Sequence, residues 1–369
     1  MNTFIESNKG KHFTLSDRIS IEAGIEKGWS FKKIADELGK SPSSVSREVR
    51  RHLIFSPHYY DDFFFYRAKH SHDTSLELRS SSRSGINLSP EELDQLDRLV
   101  SPLIKKGQPL SHIFLSHMED IPCCQRTLYS YVDKQYLSVI NLDLPRKVRY
   151  KKRKKKQLDT PVPGYRKNRT YRDLLDFLAS SPDSSIVELD VVEGAGGKSG
   201  PVLLTLFFRN CSLMLLFLLP GDRRKYVQDV FDLLLSELGP QTYSQLFPII
   251  LTDNGSSFLD PSLFEMPHRQ DVLTKVFYCA PMSSWQKGRL EKNHEFIRYI
   301  LPKGTSFGSL TEQKVNLMMN HINSTARASL NGCIPFQLAL LLLDAKLMSL
   351  MDLRSVPADQ IHLKPDLIK

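Results

Sequence analysis

Three apolar runs follow one another between Ile186 and Leu219: IVELDVV (Ile186 to Val192), PVLLTLFF (Pro201 to Phe208) and LMLLFLL (Leu213 to Leu219). Each is strand length and too short for a buried helix. The turn Glu193-Gly194-Ala195-Gly196-Gly197-Lys198 joins the first two as a natural hairpin. Val227 to Leu238 has a helical pattern. Phe247 to Leu251 is another short apolar strand, ending in Thr252-Asp253-Asn254-Gly255. Three strands, a helix, then a strand with Asp at its end predict a mixed sheet with helices packed on it, an α/β domain. The longest apolar run, Ser212 to Pro220, falls far short of the roughly 18 residues a membrane helix needs.

A chain of 369 residues has room for two or three domains. Its 41% hydrophobic content excludes wholesale disorder. The opening MNTFIESNKGKHF lacks the apolar core of a signal peptide. Five cysteines without regular spacing argue against a disulfide framework, so a reducing cytoplasm is expected. The net charge is +9, and Arg146 to Lys156 (RKVRYKKRKKK) holds nine basic residues, as many as the whole excess. Such a block repels itself unless a polyanion neutralises it; it reads as a clamp on a phosphate backbone through Lys151, Lys152, Arg153, Lys154, Lys155 and Lys156, or else as a solvated linker. Pro161, Pro163 and Gly164 follow and mark a domain boundary. A softer boundary lies around Ser71 to Gly85.

Upstream of the block one small architecture occurs twice. In Phe13 to His52, Leu15, Ile19 and Ile25 have helical spacing, and Gly28 stops that helix. Ser30 caps a second helix, Phe31 to Leu38, broken by Gly39. Ser41 caps a third, with Pro42 at its first position. Ala35, Leu38 and Val45 form the expected small core. The third helix presents Ser43, Ser44, Ser46, Arg47, Arg50 and Arg51, a basic face suited to a DNA major groove. The second copy starts at Ser89-Pro90-Glu91-Glu92 and runs through Leu110 to His117 and Gln125 to Val132, where Arg126 is a candidate DNA contact. Fewer positive charges face outward there, so a purely structural unit is an equal reading.

An Asp inside a core strand is costly unless it is paired or binds a metal, which singles out Asp190. Asp253 lies at a strand end, where α/β sheets place their sites. Beyond Gly288, Leu290, Phe296, Ile297 and Ile300 predict a helix with Glu291 near its start. Three hard oxygen ligands suit Mg²⁺ or Mn²⁺. Two such ions roughly 4 Å apart can activate an attacking oxygen and stabilise the leaving oxygen of a phosphodiester.

The order Asp190, then TDNG, then WQKGRLEKNHEFIR resembles the Asp-Asp-Glu transposases of bacterial insertion sequences, and more narrowly the insertion-sequence-thirty (IS-30) family. The likeness continues in SSVSREVRRH, RTLYSYV, PKGTSF, NLMMNHINS and IHLKPDLIK. It departs where Ser257 precedes Phe258 in place of a Glu, where Ile54 to Arg83 holds no cysteine, and where Ala280 precedes Pro281 in place of Asp. The resemblance implies helix-turn-helix units ahead of a ribonuclease-H-like catalytic domain. The expected divisions are 1–70 and 86–145 for the helical units, 146–170 for the basic linker, 171–330 for the catalytic core and 331–369 for a helical extension. It assigns the catalytic carboxylates to Asp190, Asp253 and Glu291 as ligands of two Mg²⁺ or Mn²⁺ ions, with Glu295 as the rival of Glu291. Lys287 joins the expected DNA contacts, with local structure an equal reading for it, as for Asn254 and Asn293. Glu193 reads as a turn residue, and His294 and His321 as packing or hydrogen-bonding groups. The partners implied are element ends and target DNA, bound by a dimer or larger assembly in the bacterial cytoplasm at the nucleoid, with no membrane. The alternatives are a decayed copy that only binds DNA, and a nuclease that cuts without joining.

Overall fold

A computed structural model describes residues 12–56, 63–81, 86–145, 164–265, 272–281 and 283–369. The basic block, with Lys151, Lys152, Arg153, Lys154, Lys155 and Lys156, lies outside the described residues. The chain forms two compact units, Met1–Ser89 and Pro90–Lys369.

The first unit opens with α1 (Leu15–Glu26), α2 (Phe31–Leu38) and α3 (Pro42–Arg51). Thr14 and Asp17 form a reciprocal capping box on α1. Ser30 and Ser41 cap α2 and α3 through their hydroxyls, and Gly39 ends α2 in the left-handed region, where only Gly sits without strain. The core is Ile21, Ile34, Ala35, Val45, Val49 and Tyr66, with Leu38 at its edge. Leu15 and Ile19 are 41% and 54% exposed, so the inner stripe of α1 is centred on Ile21 rather than on the residues the spacing suggested. A hairpin follows, β1 (Leu53–Ser56) antiparallel to β2 (Phe63–Tyr66), then α4 (Ala68–Ser81). A helix thus stands where a boundary was expected. A polar network holds it: buried Arg18 bonds Glu48 on α3 at 2.6 Å and Ser75 on α4 at 2.8 Å, and Glu22 accepts from the Ala68 amide. No apolar stripe announces such a helix.

The second unit begins with α5 (Pro90–Lys105), α6 (Leu110–Ser116) and α7 (Gln125–Asp133). After α8 (Tyr171–Ser180) come β3 (Ile186–Glu193), β4 (Val202–Phe208), β5 (Leu213–Leu219), α9 (Arg224–Leu238), α10 (Pro240–Leu246), β6 (Ile249–Thr252), α11 (Ser262–Glu265), β7 (Lys275–Tyr278), α12 (Gly288–Ile300), α13 (Glu312–Asn323), α14 (Pro335–Leu342) and α15 (Ala345–Leu350). The sheet order is β5-β4-β3-β6-β7, antiparallel from β5 to β3 and parallel from β3 to β7. This is the ribonuclease-H-like mixed sheet. Every residue of β4 is buried, as expected for a central strand covered on both faces. Alternation puts Ile186, Glu188 and Asp190 on one face of β3. Leu174 and Phe177 of α8 pack on that face beside Ile186. Val187 and Leu189, on the other, join the large core with Val227, Phe231 and Leu234 of α9. The outer edge of β5 is covered by Asn323 of α13, whose amide exchanges two hydrogen bonds with the Met214 backbone.

The expected C-terminal extension holds the helices α14 and α15, and the residues after Leu350 form an irregular strap. The strap fastens α5–α7 to the sheet domain: Leu363 bonds Lys106, Gln108 donates to Ala358 and Ile361, and the His362 amide donates to His321. Segments expected as separate domains therefore share one unit.

Three imidazoles, His112 and His321 buried and His294 half-buried, give this unit an acid-sensitive stability. His112 accepts the Ala326 amide and His321 accepts the His362 amide, which requires neutral rings. Burial lowers both to about 4, and lowers His294 to about 3. Unfolded, each protonates near 6.5. The unfolded chain thus binds more protons below pH 6.5, so this stability is complete above that pH and is lost as pH falls toward 4. The slope is about 1.4 kcal/mol per pH unit for each ring. Denaturant titrations at pH 7.5 and pH 5 should show a clearly lower midpoint at pH 5; equal midpoints would contradict it.

Candidate active site

The parallel register of β3 and β6 builds the site. Ile186 pairs with Ile249, Val187 with Ile250 and Glu188 with Leu251. Continued by two residues, that register brings Asp190 level with Asp253 where β6 ends. Gly255 donates its amide to Asp253 Oδ1 at 2.9 Å. A Cβ on Gly255 would lie 3.0 Å from that oxygen, so a side chain there would crowd the carboxylate. The Val191 amide donates to Asp190 Oδ1 at 2.9 Å. Each aspartate thus has one oxygen, Oδ1, accepting from backbone and one, Oδ2, without a backbone donor.

Both Oδ2 atoms face the Lys287 ammonium, at 3.2 Å from Asp190 and 3.7 Å from Asp253. Nζ also donates to the Leu189 carbonyl at 3.0 Å, and the residue is only 4% exposed. Burial works to lower its pKa, but the two carboxylates outweigh burial and the net shift is upward. Lys287 is therefore a buried cation held at the carboxylate pair.

Glu291 lies in the first turn of α12 and is exposed. Among the described residues no three His, Cys, Asp or Glu side chains are gathered closely enough to hold a metal ion. The structure brings Asp190 and Asp253 together and leaves Glu291 on the adjoining helix.

Four ties hold α12 and the preceding Lys287 against β3 and β4. Besides Lys287, the Leu290 amide donates to Glu188 Oε2 at 3.0 Å, and Arg298 donates to the Glu193 carbonyl at 3.0 Å. The fourth is His294 Nε2, which meets Thr205 Oγ1 at 2.9 Å. Thr205 is the cross-strand partner of Asp190 and donates to its carbonyl. Glu188 is fully buried and paired with Arg209, which donates in turn to the Gln286 carbonyl. Sequence reading passed over Glu188, although a second acid inside the same apolar run was the available signal. Asn254 bridges Tyr165 and the Cys279 carbonyl, and Asn293 bonds Arg289, so both serve local structure.

In the first unit Ser43, Arg47, Arg50 and Arg51 are exposed on α3, and Ser44 and Ser46 are half-buried. The Ser43 and Ser44 hydroxyls lie within 3.0 Å of the capping Ser41 hydroxyl. A cleft of about 440 Å³ is lined by Arg18, Arg47, Arg51 and Arg79, among others. In the second unit Arg126 is exposed in the first turn of α7.

Fold and site together define a ribonuclease-H-like protein with a paired-carboxylate centre, carrying a helix-turn-helix DNA-binding domain. Residues 9–52 match the family model described as "Helix-turn-helix domain". Three curated relatives extend over most of the chain. The transposase for insertion sequence element IS4351 of Bacteroides fragilis is 24% identical over 88% of this chain and 94% of its own. The probable transposase for insertion-like sequence element IS1161 of Streptococcus salivarius is 24% identical over 86% and 91%. Transposase InsI for IS30C of Escherichia coli is 25% identical over 88% and 82%. Over most of its length the chain is thus similar to insertion-sequence transposases, an IS30 transposase of Escherichia coli among them. All five cysteines are free thiols, and among the described residues no helix is long and apolar enough to cross a membrane.

Proposed function

We propose that this chain binds the terminal inverted repeats of its own insertion sequence and catalyses metal-dependent cleavage and transfer of DNA strands. The observation that carries the reading is the pair Asp190 and Asp253, set level on neighbouring parallel strands with one oxygen each aimed at a shared cation. Two carboxylates converging on one positive centre are a donor set that fits a hard divalent ion. Asp190 and Asp253 would hold Mg²⁺ or Mn²⁺, with Glu291 as the third ligand. When bound, two such ions sharpen the attacking oxygen and neutralise the leaving one.

The residues of the chain do the rest. Backbone bonds to each Oδ1 keep the two Oδ2 atoms aligned. The ties from Glu188 and from Thr205 to His294 hold α12, and with it Glu291, against β3. In the first step water oxygen attacks the phosphorus at the element end, and the 3′-oxygen leaves and takes a proton. In the second, that 3′-hydroxyl attacks a target phosphodiester and displaces the 3′-oxygen of the target strand. One bond to phosphorus forms and one breaks each time, so no further co-reactant is needed. Two ends must be held at once, which calls for at least two copies of the chain.

The test uses labelled duplexes carrying the DNA that flanks this gene, with Mg²⁺ or Mn²⁺, beside Glu291→Gln. Cleavage at one defined position with joined products, both lost in the variant, supports the reading. Cleavage without joining moves it to a nuclease. Binding without cleavage in either protein moves it to a DNA-binding protein with an inert catalytic fold.

DNA contacts are tested separately. Arg47→Ala and Arg50→Ala should weaken end binding about 5- to 150-fold if they read bases, at roughly 1–3 kcal/mol each. If they touch only phosphates, binding should weaken on every sequence and the salt slope should drop by about 1. Fluorescence anisotropy on cognate and scrambled duplexes at two salt concentrations separates these outcomes. No change on either duplex would remove α3 from the interface.

A further inference from the structure

We propose that Lys287 is the built-in cation of the Asp190–Asp253 pair, and that metal and DNA displace it together: the divalent ion takes the carboxylates while a DNA phosphate takes the ammonium. The proposal rests on the two aspartates being metal ligands, and it goes further by linking metal loading to DNA arrival through one side chain.

Four observations carry it. Nζ lies between the two free carboxylate oxygens, at 3.2 and 3.7 Å, where a shared ion would have to sit. Two positive centres cannot both press against the same oxygens without strong repulsion, so ion and ammonium compete. The backbone around Lys287 is pinned, since Gln286 accepts from the Ala280 amide through its side chain and from Arg209 through its carbonyl. The lysine stem, in contrast, has four carbons and three rotatable donors, so its head can swing while α12 stays docked. Finally, the Asp190 and Asp253 side chains are 21% and 43% exposed, so the pair is open to solvent and to a ligand that arrives from it. A released ammonium needs a new anion, and the scissile strand supplies one.

Linkage then makes the effect reciprocal: DNA tightens metal binding and metal tightens DNA binding by the same factor. In the absence of DNA the lysine holds metal affinity down. It also neutralises two carboxylates that would otherwise repel each other.

The experiment is a Mn²⁺ titration of the full-length chain followed by electron paramagnetic resonance of the free ion, with and without a short duplex. Wild type, Lys287→Gln, Lys287→Arg and Asp190→Asn are compared, and Asp190→Asn with the same duplex corrects for Mn²⁺ held by DNA. Lys287→Gln should bind Mn²⁺ about tenfold tighter than wild type without DNA, and the duplex should add little more. In wild type the duplex should tighten Mn²⁺ binding by about 5- to 150-fold, the usual span of site-to-site coupling. Lys287→Arg, which keeps a cation, should follow wild type. Mn²⁺ binding that is unchanged or weaker in Lys287→Gln overturns the proposal, as does a wild-type affinity indifferent to the duplex. Should Lys287→Gln fail to fold, Lys287→Met keeps the apolar stem and carries the same expectation. Mn²⁺ binding unaffected by Asp190→Asn would instead remove the aspartates as ligands, a failure of the underlying reading that this design tells apart.

Discussion

Asp190→Asn should lower strand cleavage at an element end by about a thousandfold or more, because losing one ligand forfeits several kcal/mol of charge stabilisation in the transition state. The variant keeps the shape of the side chain, and Asn Oδ1 can still accept the Val191 amide as Asp does at 2.9 Å. Folding and DNA binding should therefore survive, as judged by circular dichroism and by anisotropy on the same duplex. Asp253→Asn should behave alike, since Gly255 can still donate to Asn Oδ1. Glu291→Gln should cost as much, although the side chain stands exposed and away from the pair. An undiminished rate in Asp190→Asn would end the assignment of this site. An undiminished rate in Glu291→Gln alone would shift the third role to Glu295, one helical turn further on.

Glu188→Ala should strongly destabilise the second unit. The substitution removes the buried partner of Arg209 and the acceptor of the Leu290 amide at once. Breaking a buried pair from one side costs about 3–5 kcal/mol, because the partner charge is left uncompensated. For a unit of this size that is a fall in melting temperature of roughly 10 °C. Replacing both residues, Glu188→Met with Arg209→Met, should recover much of the loss, since an apolar pair leaves no orphan charge. The double variant should still cut poorly, because the start of α12 is no longer tied to β3 and Glu291 loses its bearing. Calorimetry beside the cleavage assay reads the two effects apart. A double variant with full stability and full cleavage would show that Glu188 positions nothing.

Much of the catalytic architecture is legible in the chain. Leu213 to Leu219 is β5 as drawn from its apolar run, and Gly288 opens α12 as the helical spacing required. The hairpin turn, the strand ending in TDNG and the capped third helix of the first unit follow from local chemistry: a glycine, a serine cap, a proline at a helix start. These features are encoded within a few residues of where they act. The strand β7 (Lys275–Tyr278) escaped the reading, being four residues with one exposed, too short a run to carry a period.

What escaped local reading was settled by partners far away in sequence. Helix α4 docks through partners far upstream: Arg18 bonds Ser75, and Glu22 accepts from the Ala68 amide. The helical unit α5–α7 joins the sheet domain because the strap around Ile361 reaches back to Gln108. Ile21 rather than Ile19 faces inward because the direction of α1 is set by the helices it packs on, and a helical period fixes spacing but not phase. The three carboxylates were named from motifs, yet nothing local says that Asp190 and Asp253 stand level; the parallel register of β3 and β6 does. Lys287 shows the division most sharply. In the sequence it is one more basic residue near a candidate site, with DNA contact and local structure as equal readings. The tertiary structure turns it inward, because burial of the Leu290 face of α12 points the preceding turn at the carboxylate pair, and two anions at close range hold an ammonium more strongly than water does.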